Sequence, residues 1–185
     1  IKKIKNIKSM FPSDWDLPNV YLLHGKMDKE EMNKLYNHPK VKAMVSFTHG
    51  EGFGRPLLEA TMVGLPVIAP NWSGQCDFLN TEMSMLIGGE LNKVPSSAVW
   101  ENIVIPESQW FYIDENQAYK TLNYAFNNIV ELQNRAKKLM KINREKFTLD
   151  KMTQKLDEIV EKHTKDLPSQ VSIKLPKLKK VVETA

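Results

Sequence analysis

The sequence is short of cysteine, of metal-ligand spacings and of long apolar runs, and each shortage removes a class of function. Cys76 stands alone among 185 residues. No disulfide can form within the chain, and a thiolate metal site lacks ligands. The four histidines, His24, His38, His49 and His163, show no spacing such as H-x3-H and read as surface or hydrogen-bonded core residues. No apolar run approaches the roughly 18 to 20 residues of a membrane span. The basic start, Ile1-Lys2-Lys3-Ile4-Lys5, is not followed by the apolar stretch of a secretory signal. That absence carries little weight, because the chain also lacks an initiator Met.

Charge is not concentrated where a nucleic acid would need it. The net charge of +4 and pI near 9.0 arise mostly at the two ends. Lys2, Lys3, Lys5 and Lys8 crowd the start, and Lys174, Lys177, Lys179 and Lys180 the finish. Neither cluster carries interleaved aromatics or a recognition motif, so both read as solvated ends and no nucleic-acid partner is expected. An apolar fraction of 42% is ordinary for a soluble domain. One core in a chain of this length can bury about two-thirds of its unfolded surface.

Apolar runs and helix signals alternate along the chain. Residues 1–18 read as a short basic helix and a loop. Asn19–His24 is a compact apolar run closed by Gly25, as in a buried strand. Asp28 with Glu31 three residues on predicts a capped helix over Lys29–Asn37, ended by His38-Pro39. Val41–Phe47 is a second apolar strand. After a glycine-rich loop, a helix is expected over Arg55–Val63, with Pro56 in its first turn and Gly64 just past its end. Leu65–Ala69 and Met83–Ile87 read as strands three and four, separated by the turn Asn71–Gly74 and one helical turn over Gln75–Leu79. Strands apolar throughout are covered on both faces, so the order predicts a doubly wound parallel α/β sheet, Rossmann-like. Residues 88–113 are less regular; Trp100, Trp110 and Phe111 predict an ordered, packed insertion. From Asp114 to about Lys165 apolar residues recur at helical spacing: Ala118, Leu122, Ala125, Phe126 and Ile129; Leu132, Ala136, Leu139 and Met140; Met152, Leu156, Ile159 and Val160. Residues 166–185 read as a basic extended tail, or a segment that docks elsewhere.

The segment Glu51-Gly52-Phe53-Gly54-Arg55-Pro56-Leu57-Leu58-Glu59 carries the chemistry. Two carboxylates straddle a Gly-x-Gly turn that opens a helix after a strand. Open α/β sheets bind ligands beyond the carboxyl ends of their strands. A helix tip there offers free N–H groups and partial positive charge, suited to a phosphate. Gly52 and Gly54 allow close backbone approach. Glu51 and Glu59, as acceptors, match a row of sugar hydroxyls. The same spacing also fits a tight connection with an ordinary early-helix acid.

The run E-G-F-G-x-P-x-L-E-A-x-x-x-G-x-P-V-I, from Glu51 to Ile68, resembles the E-x7-E region of retaining glycosyltransferases of the GT-B architecture, family four, the glycosyl transferases group 1. The likeness extends over residues 19–165. It implies the C-terminal, donor-binding half of such an enzyme over 1–165, incomplete at its N-terminus, with closing helices and the tail 166–185. It implies that Glu51 acts at the reacting face, binding donor-sugar hydroxyls. The amides of Gly52, Phe53 and Gly54 would meet the sugar and diphosphate, Glu59 the ribose, and the loop at Lys26 and Met27 the base. Arg55 replaces an apolar residue; it either adds phosphate charge as a donor-binding residue or forms a structural ion pair or faces solvent. Trp72, Ser73, Gln75 and Asp77 either line the same crevice or make a packed turn.

Such enzymes use a nucleotide diphosphate sugar, a hydroxyl acceptor on a glycan, lipid or other molecule, and usually no metal or other cofactor. The resemblance places the chain in the cytoplasm, or peripherally at a membrane surface. The basic residues that neutralise the diphosphate in the family, and the acceptor-binding domain, have no counterpart in this sequence. The chain is therefore expected to bind donor weakly and not to turn over without a further domain or a partner chain. Two rival readings remain: a non-catalytic nucleotide-binding or assembly module, and a related epimerase or phosphorylase.

Overall fold

The computed structural model describes residues 2–165. The expected tail over 166–185 lies outside the described residues. The chain forms two compact units, Ile1–Lys42 and Ala43–Ala185.

The first unit holds two helices. α1 (Lys2–Lys8) buries no residue. α2 (Lys29–Tyr36) begins at the expected capping box: the Glu31 amide donates to Asp28 Oδ1 at 2.8 Å, and the Asp28 amide donates to Glu31 Oε2 at 2.9 Å. Tyr36 is its buried residue, with Met32 and Leu35 half-buried beside it.

The strand expected at Asn19–His24 does not form. An apolar run becomes a strand only where a neighbour takes its N–H and C=O groups. No described strand pairs with it, and Tyr21 and Leu23 are 83% and 68% exposed.

The second unit is α/β and Rossmann-like. Its elements are β1 (Met44–Val45), α3 (Arg55–Met62), β2 (Val67–Pro70), a 3-10 turn (Gly74–Asp77), β3 (Met85–Ile87), β4 (Gly89–Lys93), β5 (Gln109–Ile113), α4 (Glu115–Asn127), α5 (Ile129–Lys146) and α6 (Leu149–Thr164). β1, β2 and β3 form a parallel sheet in that order, with Met44 opposite Val67 and Ile68 opposite Met85. β2 is buried at all four residues, as its unbroken Val-Ile-Ala-Pro run requires. β1 is shorter than the expected 41–47. Among the described residues its ladder neighbour is β2 alone, and bonds from Met44 N–H to Pro66 O and from Ser46 N–H to Ile68 O join the two beyond the strand register.

α3 ends in a Schellman motif. Gly64, at φ +76°, donates to Thr61 O at 3.0 Å, and Leu65 donates to Ala60 O at 3.1 Å. The chain thereby reverses into β2 within three residues.

The core joins Ile68 and Ile87 of the sheet to Ala118, Ala125 and Leu132 of α4 and α5. Each large aliphatic side chain so buried contributes about 1.5–3 kcal/mol. α5 also crosses α3, where Asn143, fully buried, donates to Thr61 Oγ1 at 2.9 Å and to Phe78 O at 3.2 Å.

Residues 88–113 are more regular than expected. β4 and β5 pair antiparallel from Gly89 opposite Ile113 to Lys93 opposite Gln109. β4 is not legible in the sequence, because Gly-Glu-Leu-Asn-Lys holds one apolar residue and is exposed throughout. Phe111 and Val94 are buried, but Trp100 is 66% exposed in the turn beyond β4, so the packing does not extend across the whole expected insertion. The helical stripes also bury less than their spacing predicts. Leu122, Phe126, Met152, Leu156, Ile159 and Val160 are exposed, because no described element covers those faces. Among the described residues no helix is long and apolar enough to cross a membrane.

Candidate functional site

Two loops leave the carboxyl ends of neighbouring parallel strands: residues 46–54 after β1 and 71–78 after β2. Their common origin brings them side by side. The Ser73 hydroxyl donates to Glu51 O at 2.6 Å and accepts from the Glu51 amide at 3.2 Å. The Gly74 amide donates to the same Glu51 carbonyl at 3.1 Å. Gly74 is required there, since a Cβ would stand 2.2 Å from Gly52 O.

The other side of the first loop rests on β5. The Phe111 amide donates to His49 O at 3.1 Å, and His49 Nδ1 lies 2.8 Å from Phe111 O. A carbonyl only accepts, so Nδ1 carries the proton. The imidazole stacks on Trp110 at 4.8 Å and 9° and leans against Tyr112 at 4.6 Å. Phe111, on the opposite face of the strand, stacks with Trp72 at 5.7 Å and 6°. His49 is thus the hydrogen-bonded residue expected of it, but its place between the loop and β5 was not legible. The Trp-Phe-Tyr alternation at 110–112 is the signal that could have found it.

Glu51, Gly52, Phe53 and Gly54 lie together in the clamped loop. Gly54 adopts φ +80° and caps α3, its carbonyl accepting from Leu57 at 2.9 Å and Leu58 at 3.1 Å. A side chain there is disfavoured twice, by the left-handed backbone and by the close approach of Gln75 Cβ at 3.3 Å. Among the described residues the amides of Gly52, Phe53, Gly54 and Arg55 have no acceptor, and the Glu51 carboxylate has no hydrogen-bond or ion-pair partner. Phe53 anchors the loop through its ring, 5.4 Å from Phe78 and 6.2 Å from Phe147.

Arg55 and Glu59 stand one turn apart on α3. Arg55 Nε donates to Glu59 Oε1 at 2.8 Å, with the two side chains 75% and 38% exposed. Of the alternatives for Arg55, the geometry displays the ion pair. Lys26 and Met27 belong to the other unit, both exposed between Gly25 and the cap of α2.

A groove of about 700 Å³ adjoins the loop, lined among others by Phe53, Asp77, Phe147, Lys151, Met152 and Lys155. Cys76 follows the Ser73–Gly74 turn. Burial first, and then the Asp77 charge, push its thiol above the ordinary value, which leaves it protonated and a poor nucleophile. Among the described residues no group of three His, Cys, Asp or Glu side chains is placed to hold a metal ion.

A parallel α/β sheet whose strand ends present a glycine-opened helix tip between two carboxylates defines a Rossmann-like domain. Residues 14–88, a stretch that contains β1, the clamped loop, α3, β2 and β3, match the family model of the glycosyl transferases group 1. Curated proteins yield no match to the chain.

Proposed function

We propose that the chain is the donor-binding domain of a retaining glycosyltransferase of the GT-B architecture, acting on a nucleotide diphosphate sugar and a hydroxyl acceptor. The observation that carries this reading is the tip of α3: four amides that have no acceptor among the described residues, flanked by the Glu51 carboxylate, which has no partner among them either, and by Glu59 one helical turn on.

The chemistry follows from charge. Sugar transfer builds positive charge at the anomeric carbon and negative charge on the departing diphosphate. Fixed N–H groups at Gly52, Phe53 and Gly54, aided by the helix dipole, stabilise the developing negative charge without reorganising. Glu51 accepts hydrogen bonds from sugar hydroxyls beside the reacting centre. Glu59 accepts from the ribose hydroxyls. Arg55 orders Glu59 and brings a positive charge near the phosphates. No metal or other cofactor enters this scheme, and the site of action is cytoplasmic.

Calorimetric titration with UDP, GDP, ADP and their glucose conjugates tests the reading. One nucleoside diphosphate should bind, its binding should persist in excess EDTA, and Glu59→Ala should weaken it at least tenfold, the range of charge-assisted hydrogen bonds lost. Absence of binding to all six probes, or Glu59→Ala binding as well as wild type, would overturn it.

A further inference from the structure

Ser73 has an unusual backbone. Its φ of 74° and ψ of −163° lie in a region that residues other than glycine rarely occupy. Its neighbour Gly74 is a glycine for a visible reason, yet the strained position itself is a serine. The hydroxyl explains the choice. One Oγ donates to the Glu51 carbonyl at 2.6 Å and accepts from the Glu51 amide at 3.2 Å, across a sequence separation of 22. With the Gly74 amide on the same carbonyl at 3.1 Å, both polar groups of the Glu51 backbone are fixed. The Glu51 carboxylate has no partner among the described residues. The backbone of this residue is held while its side chain is kept available.

That division of labour is what a preorganised acceptor needs. We infer that Ser73 is a positioning residue, whose hydroxyl sets the Glu51 carboxylate for sugar hydroxyls and so governs recognition of the sugar rather than of the nucleotide. The inference rests on the donor-site reading above for its ligand, but the clamp itself does not depend on any ligand. Glu59 lies on α3, and the Gly74 amide still holds the Glu51 carbonyl when the hydroxyl is removed, so the loop that carries the Gly52, Phe53 and Gly54 amides keeps an anchor and the sugar contact can be read apart from those to diphosphate and ribose.

Two variants test it. Ser73→Ala removes the hydroxyl and keeps the side-chain strain; Ser73→Gly removes both. The ligands are whichever of UDP, GDP and ADP binds wild type best, and its glucose conjugate. In both variants the affinity advantage of the conjugate over the parent diphosphate should fall by about tenfold, the scale of one lost hydrogen bond. The parent should bind within about twofold of wild type. The Glu51 amide, followed by NMR hydrogen exchange without ligand, should exchange at least tenfold faster. Ser73→Gly should melt no lower than Ser73→Ala, which keeps the positioning effect apart from stability.

Parallel weakening of both ligands would make Ser73 merely structural and overturn the inference. So would unchanged exchange at Glu51. Should wild type bind neither ligand, the donor reading fails; accelerated Glu51 exchange would still support the clamp, and unchanged exchange would remove it.

Discussion

Arg55 Nε and Glu59 Oε1 meet at 2.8 Å across one turn of α3, at the helix end that opens from the glycine loop. The pair is mostly solvent-exposed, so its contribution to folding is small whatever its contribution to binding. Exposed helical pairs at this spacing give about 0.3–0.5 kcal/mol. Arg55→Ala should therefore shift urea-unfolding stability by less than about 0.5 kcal/mol. Diphosphate binding by the variant should also depend less steeply on salt, because one positive charge near the site is gone. A stability loss well above that bound would mean that Arg55 holds more of the fold than its exposure allows.

Asn143 provides the opposite case. It is fully buried and donates to Thr61 Oγ1 and to Phe78 O, linking α5 to α3 and to the end of the 3-10 turn. Thr61 Oγ1 keeps a partner of its own in Leu58 O, but the Phe78 carbonyl has no other donor among the described residues. Asn143→Ala should cost about 1–3 kcal/mol through the unsatisfied acceptor. For a chain of this size that is roughly 3–10 °C in melting temperature. Asn143→Asp should cost more, since it turns a donor into a buried acceptor facing other acceptors. Equal melting temperatures for wild type and Asn143→Ala would remove this link from the core.

Gly52 and Gly74 face each other across the clamp and should respond differently to the same change. A Cβ at Gly74 would meet Gly52 O at 2.2 Å and Phe53 Cα at 2.8 Å, both backbone atoms that cannot swing aside. A Cβ at Gly52 meets nothing within 4 Å. Gly74→Ala should displace the loop and destabilise the domain by about 3 kcal/mol or more. Gly52→Ala should stay within about 1 kcal/mol of wild type. If the diphosphate sits on the Gly52 amide, the second variant should nonetheless bind nucleotide more weakly at unchanged stability. Matched melting temperatures for the two variants would contradict the close approach.

What the sequence made legible was mostly local. The capping box at Asp28 and Glu31 and the Schellman end at Gly64 span three or four residues, so their physics is complete within the pattern. The buried strand β2 is legible because an unbroken apolar run needs cover on both faces. Asn19–His24 has the same appearance, but strand formation depends on a distant ladder partner, which composition does not reveal. α6 shows the converse: its apolar spacing gives a helix, yet spacing alone does not say what covers Met152, Leu156, Ile159 and Val160. At the site, Glu51-Gly52-Phe53-Gly54 stands out through the resemblance of the whole run up to Ile68, because Gly-x-Gly at a helix start alone also fits a tight connection. Ser73 does not, because its partner is 22 residues away and a serine in a turn has many uses. His49 was hidden similarly, its contacts lying on β5.

Tyr124 of α4 and Glu131 of α5 connect the two helices across their junction, and their titrations should be linked. The Tyr124 hydroxyl donates to Glu131 Oε2 at 2.8 Å, and Arg135 donates to the other carboxylate oxygen. The tyrosine bond first, and the arginine second, hold the Glu131 carboxyl below its ordinary value of 4.5. A lowered carboxylate stabilises the fold above 4.5, and that contribution is lost as pH falls through the folded value. The same hydrogen bond raises the Tyr124 hydroxyl above its ordinary 10.0. Its contribution is present below 10.0 and disappears as pH rises through the folded value. The bond therefore operates between two limits, acid loss at Glu131 and alkaline loss at Tyr124. NMR titration of the Glu131 Cδ and Tyr124 Cζ resonances reads both. Tyr124→Phe should return Glu131 most of the way to its ordinary value, with Arg135 keeping a remainder. Glu131→Gln should lower the Tyr124 value towards 10.0, having removed both the acceptor's charge and its repulsion of the phenolate. A Glu131 titration indifferent to Tyr124→Phe would assign the whole shift to Arg135 and leave the helix junction without this bond.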